Sequence, residues 1–150
     1  MTLIRLGTAA VLVTLLLSIT SCNRFNDPKP TQVVDLPSMI GKSREEITKM
    51  VGTPPNKEDS GVVEWELPEG RLSVRKNDGE IGYSLKQSYS GFASSKEMAE
   101  LVNINVQSRK VNNGRGLQYY EHISVNGKTL DLYIRLSDKR YMGAWIENFK

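Results

Sequence analysis

The chain has 150 residues, with 20 Lys and Arg against 17 Asp and Glu, one His and one Cys. A net charge of +3 with no Lys/Arg cluster longer than a pair excludes a nucleic-acid footprint. A single cysteine excludes an internal disulfide framework, and a single histidine with scattered carboxylates makes neither a metal nor a cofactor site.

Taken in chain order, the first element is an apolar leader. Arg5 supplies a positive start, and Ala9 to Ile19 form an apolar run of secretory-signal length. The uncharged stretch from Leu6 to Cys22 falls short of the roughly 20 residues a membrane span needs. Ile19-Thr20-Ser21-Cys22 closes the run and resembles the lipobox of bacterial lipoproteins. The resemblance implies cleavage after residue 21, lipid on Cys22, and a mature chain whose net charge falls to +2 because Arg5 is lost. Two acyl chains are enough for stable anchoring, at about 0.8 kcal/mol per buried methylene. The resemblance also implies sorting to the outer membrane, since in many Gram-negative lipoproteins Asn rather than Asp after the cysteine, as at Asn23, goes with that destination. Residues 22–35, with Pro28 and Pro30 among polar neighbours, read as a tether.

The remainder divides into two halves, 36–90 and 91–150. Ser43-Arg44-Glu45-Glu46 is a capping box, followed by Ile47, Met50 and Val51 at helical spacing and by Gly52 as a stop. Pro54 and Pro55 bar continuation. Two turn signals then join three strands. A two-residue turn at Glu69-Gly70 sets Leu67 opposite Leu72 and Trp65 opposite Val74. One at Asp78-Gly79 sets Val74 opposite Tyr83 and Leu72 opposite Leu85. Every large apolar residue then shares one face, and the other carries Glu64, Glu66, Arg71, Ser73, Arg75, Ser84 and Lys86.

The second half reads the same way. Ser94-Ser95-Lys96-Glu97 is a second capping box, with Met98, Leu101 and Val102 at helical spacing. A turn at Asn126-Gly127 sets Ile123 opposite Leu130, Tyr119 opposite Ile134 and Leu117 opposite Leu136. A turn at Asp138-Lys139 sets Leu136 opposite Tyr141 and Leu132 opposite Trp145. The expected fold is α+β: two units of one helix and three antiparallel strands, packed in tandem, with Trp65 and Trp145 both in the core.

Ile40-Gly41-Lys42-Ser43, Glu46-Ile47 and Val51-Gly52-Thr53-Pro54, followed by three strands with Gly79 before the third, resemble the SmpA/OmlA (BamE-like) domain over Leu36 to Gln87. Members are commonly small outer-membrane lipoproteins, and one is an accessory subunit of the β-barrel assembly machine. The doubled arrangement is also similar to β-lactamase inhibitor protein, whose disulfides this chain cannot form. Neither resemblance implies catalytic residues.

The residues themselves signal no chemistry. The Asn126-Gly127 register puts His122 opposite Asp131, but no nucleophile accompanies the pair. Glu121 falls on the apolar face opposite Leu132, which calls for a bulge or a wet edge. Asn112 to Gly116 is a loop too short to cradle a phosphate. On the expected solvent face of the second half, Tyr120, His122, Tyr133, Met142 and Ile146 form the candidate partner surface, since aromatics and Met mark interfaces. The expectation is a non-enzymatic, lipid-anchored, extracytoplasmic protein-binding module in outer-membrane assembly or envelope maintenance. A periplasmic inhibitor or sensor of an enzyme, and a structural envelope lipoprotein, are the alternatives.

Overall fold

The computed structural model describes residues 29–76, 79–89, 95–107, 112–114, 116–137 and 140–148. The leader, Cys22 and the first part of the tether lie outside these residues, as do Asp78, Ser94 and the Asp138-Lys139 turn.

The tether's last stretch, Lys29 to Asp35, packs along the body. Glu69 Oε2 accepts the main-chain N–H groups of Thr31 (2.8 Å) and Gln32 (2.7 Å), and the Val34 N–H donates to the Leu101 carbonyl at 2.9 Å. Helix α1 (Leu36–Met39) follows, capped by Asp35. Helix α2 (Arg44–Val51) begins at the expected capping box: Ser43 Oγ accepts from the Glu46 N–H at 3.2 Å, and Glu46 returns the bond to the Ser43 N–H at 2.7 Å. Gly52 ends it at φ +74°, the left-handed position glycine adopts without strain. Of the three apolar residues at helical spacing, Ile47 is buried, Val51 is half-buried and Met50 is exposed.

Four strands come next: β1 (Lys57–Asp59), β2 (Val62–Glu66), β3 (Gly70–Arg75) and β4 (Glu80–Tyr89). Then come α3 (Ser95–Leu101), β5 (Asn112–Gly114), β6 (Leu117–Val125), β7 (Lys128–Ser137) and β8 (Arg140–Asn148). All eight strands make one antiparallel sheet in the order β1-β2-β3-β4-β8-β7-β6-β5.

This corrects the expected architecture. Tandem units of one helix and three strands are not what forms. The sheet is continuous through the β4–β8 pairing, where Ile81 faces Ile146 and Tyr83 faces Ala144, and the helices are short. The sequence reading missed both outer strands because each is three residues long and neither alternates. Lys57-Glu58-Asp59 is wholly exposed and charged, which suits a sheet edge that must not recruit another strand.

The turns are also displaced. The β2–β3 turn falls on Pro68-Glu69, so Trp65 faces Leu72 and Val63 faces Val74. The Leu67 N–H donates to the Gly70 carbonyl at 2.8 Å. The β3–β4 pairing is likewise shifted by two, with Leu72 against Tyr83 and Val74 against Ile81. A slip of two preserves parity, so the faces survive although the partners change. Gly70 opens β3 opposite Leu85, and only glycine fits there, since a Cβ would stand 2.5 Å from the Tyr83 ring and from the Ser84 carbonyl oxygen.

The helices cover one face of the sheet. Trp65 (1 % exposed) packs there with its indole N–H donating to Thr48 Oγ1 at 3.1 Å, which ties β2 to α2. Met98, Ala99, Leu101, Val102 and Ile104 of α3 and its exit lie over the other half, with Leu130, Leu132, Ile134 and Ile146 beneath. An aromatic or aliphatic side chain buried this fully contributes about 2–3 kcal/mol through area removed from water. The core is therefore one continuous cluster that draws on both halves of the chain.

Candidate functional site

Two bulges decide what the uncovered face presents. The β6–β7 register follows Asn126-Gly127 as expected from Val125 back to Ile123, which faces Leu130. It then shifts, so that Glu121 and His122 together stand against Asp131 and Tyr120 faces Leu132. His122 has φ +54°, which aims its N–H at Asp131 Oδ1 (2.8 Å). The odd parity of Glu121 is thus resolved by a bulge that leaves the residue exposed. From there toward the strand start the faces exchange: Tyr120 turns into the core and Tyr119 turns out.

The second shift lies between Leu136, which faces Tyr141, and Arg135, which faces Gly143, so Met142 is the extra residue. Beyond it Ile146 turns into the core opposite Leu132, and Trp145 turns out opposite Tyr133.

The candidate surface is corrected accordingly. Tyr120 (5 % exposed) and Ile146 (0 %) are core residues, and the Tyr120 hydroxyl bonds Ser95 Oγ. Tyr133 and Met142 do lie on the uncovered side, half-buried. The His122 side chain is 70 % exposed, at the edge of the same face. Trp145, expected in the core, is a half-buried member of the outer face instead. The parity of Glu121 pointed to the first bulge but not to the exchange of faces beyond it, and Gly143 beside Met142 is the local trace of the second, so Tyr119 and Trp145 were missed.

The outer face is ordered in rows across the strands. The central row runs Tyr119, Tyr133, Trp145, Gly82, Ser73 and Glu64, each the direct register partner of the next. Tyr119 and Tyr133 stack with centroids 4.6 Å apart, and Tyr133 and Trp145 stack at 5.3 Å with planes 5° apart. On one side of this row lie Asp131, Glu147, Glu80 and Arg75, again successive partners. On the other lie Arg135, Gly143, Ser84 and Arg71.

Asp131 has no exposed surface, and it accepts the Tyr119 hydroxyl as well as the His122 N–H. The bond to Asp131 pushes the Tyr119 phenol well above the usual tyrosine value, with burial adding to it. Tyr133 donates to Glu147 Oε2 at 3.0 Å, and burial raises its phenol too. Arg75 pairs with Glu80 at 3.2 Å. In the first half Arg71 lies 3.3 Å from Glu66 and 3.7 Å from Glu64, and Lys86 lies 3.2 Å from Glu66, a solvated lattice of small net energy.

Where the aromatic row meets the first half the face dips. A depression of about 410 Å³ is bounded by Trp145, Met142, Ser73, Ser84, Glu80 and Arg135, with Gly82 and Gly143 at its floor. Gly143 is demanded by close strand approach: a Cβ would stand 2.4 Å from the Tyr83 carbonyl oxygen. His122 Nδ1 is 3.6 Å from Asp131 Oδ1, whose short bond goes to the main chain instead. The Asp131 carboxylate therefore serves the bulge through the His122 main chain. No cluster of three metal-ligating side chains occurs among the described residues, and no described helix is long and apolar enough to cross a membrane.

Comparison with known protein families, with curated proteins and with solved structures finds no match.

Proposed function

We propose that this chain is a lipid-anchored, extracytoplasmic, non-enzymatic module that binds another protein through the uncovered face of its sheet. The observation that carries the reading is the aromatic ladder Tyr119–Tyr133–Trp145, left half-exposed beside Met142 on a face no described helix covers. A solvent face of an antiparallel sheet ordinarily alternates to polar residues, and rigid aromatics with Met are what interfaces concentrate. The lipobox at Cys22 and the SmpA/OmlA resemblance over Leu36 to Gln87 support a place in the bacterial outer membrane, in barrel assembly or envelope maintenance.

The test is site-specific photocrosslinking in the native envelope, with p-benzoylphenylalanine replacing Lys86 on the outer face or Lys49 on α2, both exposed. A discrete protein adduct from position 86 and none from 49 is the expected result. Adducts from 49 alone, or from neither, overturn the reading. An adduct of position 86 with a soluble hydrolase, rather than with membrane assembly machinery, assigns the inhibitor role.

A further inference from the structure

The aromatic ladder stops one rung short. Trp145 has Tyr133 as its register partner on one side and Gly82 on the other. Tyr133 covers one indole face with nearly parallel planes, 5° apart. Over Gly82 there is no side chain, and the depression opens there. Adjacent strands lie about 4.8 Å apart, so the main chains that carry Trp145 and Ser73 run about 10 Å apart, with the Ser73 hydroxyl leaning in over Gly82. The depression opens above the short Ser73 side chain, where one flat ring can lie against the indole face turned away from Tyr133. Ser73 and Ser84 form the far wall, and Met142 flanks the mouth.

The charges around the slot are unequally engaged. Glu80 is paired with Arg75, Glu147 takes the Tyr133 hydroxyl, and Asp131 takes the His122 N–H and the Tyr119 hydroxyl. Arg135 also lines the slot and is exposed, but makes no ion pair among the described residues. The carboxylates all stand on one side of the slot and Arg135 on the other, so on the Arg135 side the charge left to answer is positive. A partner residue that fits this slot is a planar aromatic, and the group beside it is an anion.

We propose that the slot over Gly82 receives an aromatic side chain of the partner protein, whose adjacent acidic residue pairs with Arg135. This rests on the protein-binding reading above and names the chemistry the partner must bring. A preformed pocket that takes a single aromatic anchor is how small patches come to dominate an interface.

The experiment titrates the ¹⁵N-labelled full chain in detergent with acetyl-Gly-Trp-Glu-Gly-amide, acetyl-Gly-Trp-Lys-Gly-amide and, separately, an N-acetylglucosamine trimer. The Gly82 amide and the Trp145 indole N–H report the slot. The Trp65 indole N–H, held by Thr48 in the core, is the reference for intact folding. The acidic peptide should shift both reporters saturably, at least threefold tighter than the basic one, and Arg135→Glu should reverse the order. Gly82→Ala should weaken binding at least tenfold, since its Cβ would stand 3.1 Å from Trp145 Cβ and 3.3 Å from Ser73 Oγ. Ser73→Leu fills the slot from the far wall and should do the same without crowding the backbone. Shifts with the sugar trimer alone, equal affinities for the two peptides, or no shift at all overturn the proposal. If position 86 still crosslinks a protein while the slot stays silent, the slot proposal fails and the binding face stands.

Discussion

Asp131 holds the β6 bulge open by accepting the His122 N–H at 2.8 Å while its other oxygen takes the Tyr119 hydroxyl. One buried carboxylate thus joins the residue that bulges to the residue whose face the bulge has switched. Both bonds are charge-assisted, and His122 carries the strain of φ +54°. Without Asp131 the main-chain N–H loses its partner, and the strand loses its reason to exchange faces. The Asp131→Ala variant should be destabilised by about 3 kcal/mol, from one unpaired donor and one lost charged bond. Urea unfolding measures this directly, and near-ultraviolet circular dichroism should show the Tyr119–Tyr133 stack loosening. A variant with unchanged midpoint and spectrum would show that the carboxylate is incidental.

The two tryptophans should respond differently. Trp65 is buried under α2, and Trp65→Ala should cost about 3–5 kcal/mol. Trp145 leans on Tyr133 and is half-exposed, so Trp145→Ala should cost less than about 2 kcal/mol, mostly the stacking. The same contrast separates Tyr120→Ser, which opens a core cavity, from Tyr133→Ser, which should leave the fold standing and reduce partner capture. Equal losses of stability at positions 65 and 145 would place both rings in the core.

The alkaline limb should betray the tyrosines. Hydrogen bonding to Asp131 raises the Tyr119 phenol, and burial raises those of Tyr133 and Tyr141. A raised folded-state value means the native protein keeps protons that the unfolded chain releases near pH 10. The resulting stability is complete below about pH 10 and is lost as pH climbs toward the folded values. The urea midpoint should therefore fall above pH 10. Absorbance at 295 nm should show at least three of the six tyrosines ionising at higher pH than free tyrosine. Ionisation of all six in one step near pH 10, with the fold intact, would contradict this.

At the amino terminus, intact mass of membrane-extracted protein should show residues 1–21 gone and a diacylglyceryl group on Cys22. Cys22→Ala should leave the membrane fraction. A full-length unmodified chain, or a Cys22→Ala protein that still sediments with membrane, would remove the anchor from the proposed function.

Local chemistry in the sequence was sufficient for the α2 cap and stop, because Ser43, Glu46 and Gly52 act within a few residues of each other. It was sufficient for the apolar face of β2, β3 and β4, because parity survives the two-residue slips that displaced both turns. The Asn126-Gly127 turn was legible too, and the pairing of Ile123 with Leu130 followed from it. Everything that depends on a distant partner was decided only in the folded chain. The β4–β8 seam joins residues some sixty positions apart, as in Ile81 with Ile146, and no local signal announces it. The bulges at His122 and Met142 reverse parity within a strand, so Tyr119 and Trp145 faced outward where alternation alone had sent Tyr120 and Ile146. The misplaced parity of Glu121 marks the first interruption, but nothing in the alternation around Met142 marks the second. Only the carboxylate of Asp131, from the neighbouring strand, makes the first interruption favourable.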